Sequence, residues 1–472
     1  MLTIESGNRN RNCQGISRRT ALRVGALGGL SLPWLLEQRA SASAAGSGVR
    51  DTSVVLLTLN GGPSQFETFD PKMDAPSEVR SATGEISTKI AGVTLGSTFP
   101  RLAALADKFS LVRSFGTHNS GHDLSKLTRV WSGGGDDVPS WGSAYSRIAG
   151  PMNAQGIPSY SLLNSIVFDP KLNRQRASQF TSTFVKAAEP GSLGPSCAPF
   201  YPAGGGTLMD NMKLRTPTGR FDDRQALLAQ LDQLRRKVDA TGELDKADEY
   251  RQRAFDIIAR GAVKAFDLKG EDPRTVEMYD TEEFHIATSR SDQLLNYTPR
   301  FLGKQLLMAR RLCEAGCGFV MVDSFGWDMH GEQIGDQFGM KEGMNTLGWA
   351  VDKAVGAFIQ DCEQRGLTRN VMLVITGEMG RTPKINNRGA GRDHWSEITP
   401  LLIYGGGLKM GSVVGASDRQ GGQPTTTPYN TNHLAATIMH VLVDGGQVRL
   451  RQELPREVIQ LASEYVPIEP LI

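Results

Sequence analysis

Apolar runs of strand length alternate with helix-like segments along much of this chain, and this alternation limits the fold more than any other feature. Continuous apolar runs bounded by glycine, proline or polar residues occur at 53–59, 109–114, 318–323, 371–376 and 398–404. Segments with helical spacing of apolar residues occur at 99–107, 302–315, 345–365 and 435–442. Strands that alternate with helices are typical of a parallel sheet. The sequence therefore predicts an α/β fold with a mostly parallel central sheet.

Residues from about 155 to 300 interrupt this pattern. Loops rich in glycine, proline and serine extend to about residue 220, and a charged helical pair follows at Asp222–Ala240 and Leu244–Phe266. Apolar residues recur at helical spacing along both members of the pair, which favours packing against a core. We interpret the segment as an insertion or helical subdomain on a single α/β core.

The first 45 residues are typical of an export signal. Ser17-Arg18-Arg19 precedes the apolar segment Val24–Leu36, and small residues follow at Ala40–Ala45. A basic start, a short apolar segment and a small-residue cleavage site are the parts of a signal peptide, and paired arginines indicate the twin-arginine route. An uncleaved anchor is the alternative, but the apolar segment is shorter than the ~20 residues that span a bilayer. We expect a periplasmic or secreted protein with no membrane span in its mature part.

The charge balance argues against nucleic acid as a partner. The 472 residues include 52 basic and 50 acidic side chains, which leaves a formal net charge of +2. A chain that binds nucleic acid or an anionic membrane through electrostatics normally shows a clear basic excess or patch. We therefore expect no nucleic-acid partner, and the oligomeric state stays open.

Polar residues able to bind a metal ion follow the predicted strands. In an open α/β sheet, ligands gather at the carboxyl edge of the strands. Carboxylate oxygen and imidazole nitrogen are ligands of divalent cations such as Zn²⁺. Residues of these types, with hydroxyl and arginine side chains, follow or directly precede the strands: Asn60, His118, Ser120, His122, Asp328, His330, Glu378, Arg381, Arg392, Asp393 and His394. Each of them taken singly also fits a surface turn or an ion pair, so the prediction of a metal site depends on the group.

Four stretches resemble a bacterial, largely uncharacterised, sulfatase-like family within the alkaline phosphatase superfamily: Gly61–Lys72, Gly377–Pro383, Gly391–Trp395 and Gly405–Asp418. The resemblance implies an alkaline phosphatase-like three-layer sandwich over residues 46–472. It also implies metal-dependent hydrolysis of a sulfate or phosphate ester, of a small molecule or a glycan. The implied cofactor is a divalent metal, zinc or calcium.

The chain departs from active sulfatases and phosphatases at identifiable positions. Their first strand normally ends in a metal-binding Asp, where Asn60 stands here, and their late Asp-His pair is similar in place to Glu378-Met379. The sulfatase Cys/Ser-x-Pro-x-Arg nucleophile motif is absent, and Ser120 or Thr117 could substitute for it.

The resulting assignment separates metal ligands from catalytic residues. Expected metal ligands are Asn60, Asp328, His330, Glu378, Asp393 and His394. Expected catalytic residues are Ser120 as nucleophile, His118 and His122 as proton donors, and Arg381 and Arg392 as contacts to the anionic ester. Two other functions stay open: a catalytically silent envelope protein that keeps the fold for binding, and a phosphomutase-like transferase.

Overall fold

The computed structural model describes residues 48–129, 137–168, 177–202, 263–284, 298–331, 338–387 and 389–472. The predicted export signal, 1–45, lies outside these residues. Most of the predicted helical pair, from Asp222 onward, also lies outside them. Export and the helical pair therefore stay predictions.

The strands among the described residues are, in chain order, β1 (Ser53–Asn60), β2 (Glu85–Ser87), β3 (Thr94–Gly96), β4 (Phe109–Val112), β5 (Tyr160–Leu163), β6 (Phe319–Phe325), β7 (Val371–Thr376), β8 (Gly380–Arg381), β9 (His394–Trp395), β10 (Leu401–Gly405) and β11 (Val413–Val414). Seven of them form the central sheet in the order β11-β4-β10-β7-β1-β6-β5. β1 pairs in parallel with β6 and β7, β5 with β6, and β11 with β4, whereas β10 is antiparallel to β7 and β4. Antiparallel pairs β2–β3 and β8–β9 lie outside this sheet.

The helices among the described residues are α1 (Pro100–Ala104), α2 (Ser125–Thr128), α3 (Trp141–Ala149), α4 (Ala177–Ala187), α5 (Val263–Phe266), α6 (Pro273–Met278), α7 (Thr298–Glu314), α8 (Met340–Gln364), α9 (Thr431–Leu442), α10 (Gly445–Arg449) and α11 (Arg456–Ser463). Within the described part of the chain, no helix combines the length and the apolar character that a bilayer crossing requires.

Side chains of β1 alternate between two separate apolar cores. Val55 lies in the core that contains Leu306 of α7 and Val351 of α8. Its neighbour Val54 points to the opposite face, into the core that contains Ile438 of α9. Successive side chains of a strand point to opposite faces of the sheet, so a strand that is apolar throughout requires cover on both sides. The predicted three-layer sandwich with a mostly parallel sheet is confirmed.

The direction of β10 determines where the predicted site residues meet. Leu401, at the start of β10, pairs with Thr376, at the end of β7, because the two strands are antiparallel. The segment before β10 therefore lies at the same edge as the carboxyl ends of β1, β4, β6 and β7. The sequence-based expectation that these loops share one edge is correct.

The predicted insertion begins too early in the sequence. Tyr160–Leu163, within the segment assigned to the insertion, forms strand β5 and pairs with Phe319–Val322 of β6 at the edge of the central sheet. All four residues of this short segment are buried, so it belongs to the α/β core. The boundary at about 155 is corrected accordingly.

A buried ion-pair network links α7 to α8 and offers a test of the fold. The Arg310 guanidinium is 1% exposed and lies 2.7 Å from Glu271 and 2.8 Å from Asp361. We expect Arg310→Ala to lower the free energy of unfolding by about 3 kcal/mol, because it removes the buried cation shared by Glu271 and Asp361 and leaves only the partly exposed Arg311 and Arg365 as their countercharges. Arg300→Ala, which removes an exposed pair with Glu282, should cost less than about 1 kcal/mol. Equal losses in urea unfolding would contradict this account.

Asp323 of β6 should make stability depend on pH. Burial raises the pKa of this carboxyl from 3.8 to about 7, against the lowering effect of Asn60 and Thr58. The folded state therefore holds the proton more tightly than the unfolded state, and the stabilisation is lost as the pH rises through 7. We expect this residue to contribute a fall of about 1.4 kcal/mol in unfolding free energy between pH 6 and pH 8. Urea unfolding of Asp323→Asn in EDTA should lack that fall, and an unchanged pH dependence would refute the assignment.

Candidate metal centre

Four side chains converge at the carboxyl edge of the sheet. One ligand atom each from His122, Asp328, His330 and His394 lies within 4.8 Å of the others. His122 belongs to the loop after β4, Asp328 and His330 to the loop after β6, and His394 to β9, which precedes β10. This group is the candidate metal centre.

The three imidazoles surround the Asp328 carboxylate. The Nε2 atoms of His330 and His394 lie 3.0 and 3.6 Å from its Oδ1, and 2.8 Å from each other. The Nε2 atom of His122 lies 3.3 Å from the other oxygen, Oδ2. Each ring therefore presents the same nitrogen to the centre.

The other nitrogen of each ring is anchored by an oxygen atom. Nδ1 contacts Glu378 Oε1 at 3.3 Å in His122, Asp393 Oδ1 at 3.0 Å in His330, and the Ser120 carbonyl at 2.7 Å in His394. Carbonyl and carboxylate oxygens accept hydrogen bonds, so Nδ1 is the protonated nitrogen in a neutral ring and Nε2 keeps its lone pair. Anchoring of this kind is the usual outer shell of a histidine metal ligand.

The charges in the centre are strongly coupled. Burial opposes ionisation of Asp328, but hydrogen bonds from His122, His330 and His394 and the charge of Arg381 hold its pKa well below the ordinary value. Burial also disfavours a charged His122, yet its contacts with Asp328 and Glu378 outweigh this effect and raise its pKa to about 9. Without a bound cation, His122 therefore keeps a proton beside the ionised Asp328 carboxylate.

The Arg381 guanidinium joins the loops that carry these side chains. It is fully buried and lies 2.6 Å from Asp328 Oδ1 and 3.1 Å from His330 Nε2. It also donates to the backbone carbonyls of Gly61, Gly62 at 2.7 Å, Trp327 at 3.3 Å and Arg392 at 3.0 Å. Arg381 thus fixes Asp328 against the end of β1, and it faces the protein interior.

The donor set fits a transition-metal ion. Metal–nitrogen bonds of about 2.0–2.1 Å in a tetrahedron place neighbouring ligand atoms roughly 3.3 Å apart. The contacts among the Nε2 and Oδ atoms, 2.8–3.6 Å, bracket this value. Imidazole nitrogen with one carboxylate is a set that Zn²⁺ takes, whereas Ca²⁺ takes oxygen ligands.

Two predicted metal ligands lie outside the cluster and bind its histidines on the side away from the centre. Glu378 and Asp393 contact the Nδ1 atoms of His122 and His330. Asn60 ends β1, and its backbone carbonyl accepts hydrogen bonds from the amides of Gly326 and Trp327, so it shapes the turn and lies outside the cluster. The structure thus groups three of the six predicted ligands with His122, which was expected to be a proton donor.

Arg392 does not reach the centre, which corrects its predicted contact with the ester. Its fully buried guanidinium donates to the carbonyls of Val79, Arg80, Thr382 and Pro383, and lies over the Phe66 ring. Burial lowers its pKa to about 10, although the charge of Glu67 opposes this. These contacts give Arg392 a structural role in its loop.

His118 and Ser120 lie on the loop of His122 but outside the cluster. The His118 ring is exposed, with Nδ1 3.7 Å from Glu397, and its backbone has a φ of 51°, which few non-glycine residues adopt. Ser120 is exposed, and it contributes its carbonyl to His394.

Gly61 is a site residue that sequence reasoning missed. It follows β1 with a φ of 118°, and a Cβ atom there would lie 2.6 Å from the Asp328 amide nitrogen. Its own amide donates to Glu378 Oε1 at 2.8 Å. The signal was the Asn-Gly-Gly-Pro turn directly after a buried strand, which indicates a close backbone approach.

Fold and site together define a three-layer α/β protein with a histidine-rich candidate metal centre. Residues 51–447 match the family described as "Protein of unknown function (DUF1501)". Because the match covers most of the sequence, the chain belongs to this family. No curated protein matches the chain in sequence.

Solved structures similar to the chain include a phosphonate monoester hydrolase, a sulfatase and an alkaline phosphatase. A phosphonate monoester hydrolase from Silicibacter pomeroyi has 12% identity and a TM-score of 0.39, over 89% of this chain and 76% of that one. A sulfatase from Pseudoalteromonas sp. has 12% identity and a TM-score of 0.33, over 81% and 68%. The alkaline phosphatase of the Antarctic bacterium TAB5 has 12% identity and a TM-score of 0.30, over 82% and 97%. Similarity at this level establishes no activity for this chain, which has to be argued from the site.

Two glycine substitutions test how closely the turn after β1 supports Asp328. Gly61→Ala should weaken Zn²⁺ binding more than about tenfold, because the new methyl group displaces the Asp328 backbone. Gly84→Ala is the matched control, since Gly84 also has a positive φ, 87°, but a Cβ there meets nothing within 4 Å. Calorimetric titration of both variants with Zn²⁺ measures the difference, and equal affinities would contradict the proposed contact.

Proposed function

We propose that the protein is an exported, metal-dependent hydrolase of a sulfate or phosphate ester, carried by a small molecule or a glycan. The observation that carries this proposal is the convergence of three imidazoles on Asp328, each held by an anchored Nδ1. Such a preorganised set suits a divalent cation. Its place at the carboxyl edge of the sheet is where α/β proteins bind ligands.

Zinc is the ion that this donor set favours over calcium, because imidazole nitrogens predominate. Asp328, His330 and His394 would hold it. A bound divalent ion supplies positive charge that stabilises the developing negative charge of an ester under attack. Arg381, hydrogen-bonded to Asp328 Oδ1, keeps that carboxylate oriented.

His122 is placed to move a proton. It has the most exposed side chain of the four, 34% against 13% for His330, so it is the member of the cluster most accessible from solvent. Its Nε2 faces the centre and its Nδ1 faces Glu378. An imidazole held in this way can transfer a proton to or from a reacting oxygen.

The competing function, a catalytically silent binding protein, has specific observations in its favour. The Thr117 hydroxyl donates to the Glu378 carbonyl at 2.7 Å, so this candidate nucleophile is already engaged. Met379 is fully buried, and its thioether is a poor ligand for a hard cation. Metal content and activity have to be measured together to separate the two functions.

Metal analysis of the purified protein and of two variants tests the proposal. We expect stoichiometric zinc in the wild type and hydrolysis of p-nitrophenyl sulfate or p-nitrophenyl phosphate. Asp328→Asn and His394→Ala each remove a ligand, so metal content should fall more than about tenfold and kcat/KM at least about 10²-fold. His440→Asn, on helix α9, is a control that should change neither quantity.

The outcomes separate the candidate functions. A wild type that takes up no stoichiometric divalent metal, even after supplementation, refutes the metallohydrolase. Stoichiometric metal without hydrolysis of either ester favours the binding protein.

A further inference from the structure

The two carboxylate–imidazole pairs of the centre differ in their surroundings. Glu378, the partner of His122, is fully buried, whereas the Asp393 side chain, the partner of His330, is 43% exposed. The two histidines also contact different oxygen atoms of Asp328. His330 contacts Oδ1, and His122 contacts Oδ2. The Glu378–His122 and Asp393–His330 pairs are therefore not equivalent, and each is considered separately for metal binding and for proton transfer.

Three ligand atoms form a tight triangle, and His122 approaches Asp328 from the other oxygen of the carboxylate. His330 Nε2, His394 Nε2 and Asp328 Oδ1 lie between 2.8 and 3.6 Å from one another. His122 Nε2 lies 3.3 Å from Oδ2 and within 4.8 Å of the ligand atoms of His330 and His394. One ion can therefore bind the triangle while His122 stays beside it.

Glu378 is fixed on several sides. Its side-chain Oε1 accepts a hydrogen bond from the Gly61 backbone amide at 2.8 Å. Its backbone carbonyl accepts hydrogen bonds from the Thr117 hydroxyl at 2.7 Å and from the Asn119 side-chain amide at 3.3 Å. Its Oε2 is buried without a hydrogen-bond partner among the described residues. A carboxylate held like this restrains the imidazole bound to it and keeps the proton of the neutral ring on Nδ1.

We infer that Glu378 is a positioning residue that holds His122 beside the metal ion, not on it, and that His122 is the general base in the metal-loaded site, where the positive ion offsets the charge of Asp328 and favours the neutral ring. The inference rests on the proposed hydrolase function. The oxygen of a water molecule forms a bond to the phosphorus or sulfur atom while its proton passes to His122 Nε2. The bond from that atom to the leaving oxygen breaks, the leaving oxygen takes a proton from solvent, and His122 later returns its proton to solvent.

Substitution of each carboxylate, Glu378 and Asp393, tests whether its histidine binds the metal ion. Glu378→Met and Asp393→Leu each replace a carboxylate with an apolar side chain of similar size. Asp393→Leu should weaken Zn²⁺ binding 10–100-fold, because His330 is a ligand. Glu378→Met should leave Zn²⁺ affinity within about threefold and lower kcat about 10²-fold at an unchanged KM, and Glu378→Gln, which keeps an oxygen acceptor, should recover part of the loss.

Metal affinity is read independently of activity, so two different failures can be distinguished. If Glu378→Met and His122→Asn weaken Zn²⁺ binding as strongly as Asp393→Leu, His122 is a ligand and the inference is wrong. If the wild type hydrolyses neither ester but both variants bind Zn²⁺ normally, the hydrolase proposal fails while the placement of His122 off the ion holds. Circular dichroism confirms folding, and Glu378→Gln carries the test if Glu378→Met is unfolded.

Discussion

The buried pair of Arg381 and Asp328 is the interaction on which the centre depends. A guanidinium with no exposed surface is costly unless its donors and its charge are satisfied. Arg381 meets this requirement with one carboxylate and with backbone carbonyls from three loops. The same contacts that solvate the cation therefore fix the end of β1, the loop after β6 and the segment before β10 relative to one another. Asp328 becomes a permanent negative charge at a defined point.

The histidines follow from that charge. Three rings turn Nε2 toward Asp328 because oxygen acceptors behind them engage Nδ1. The acceptors are of different kinds, a buried carboxylate, a partly exposed carboxylate and a backbone carbonyl, so the rings are not chemically equivalent. This difference is the basis for assigning His330 and His394 to the metal and His122 to proton transfer. Asn60 and Met379 stand where active sulfatases and phosphatases have metal ligands, and neither side chain carries a negatively charged oxygen. Their identity agrees with a centre that binds one ion.

The fold was largely accessible from the sequence because its strands are buried on both faces. Val371–Thr376 was predicted with the bounds that the structure has, since a strand between two layers is apolar throughout and its ends are polar. Tyr160–Leu163 was missed as a sheet strand. Three apolar residues and Ser161, in a stretch rich in glycine, proline and serine, carry no periodicity that separates a strand from a loop. Pairing with β6 gives them their role.

The residue types of the centre were determined by the sequence, which places histidines and carboxylates after the strands or directly before them. Their roles were decided by the tertiary structure. Arg381 and Arg392 have the same side chain and stand eleven positions apart, yet one contacts Asp328 and the other binds carbonyls near Val79. His122 and His118 belong to one loop. His122 is part of the candidate metal centre, whereas His118 is not. Hydrogen-bond partners distant in the chain direct each side chain, and their positions exist only once the sheet has brought its loops to one edge.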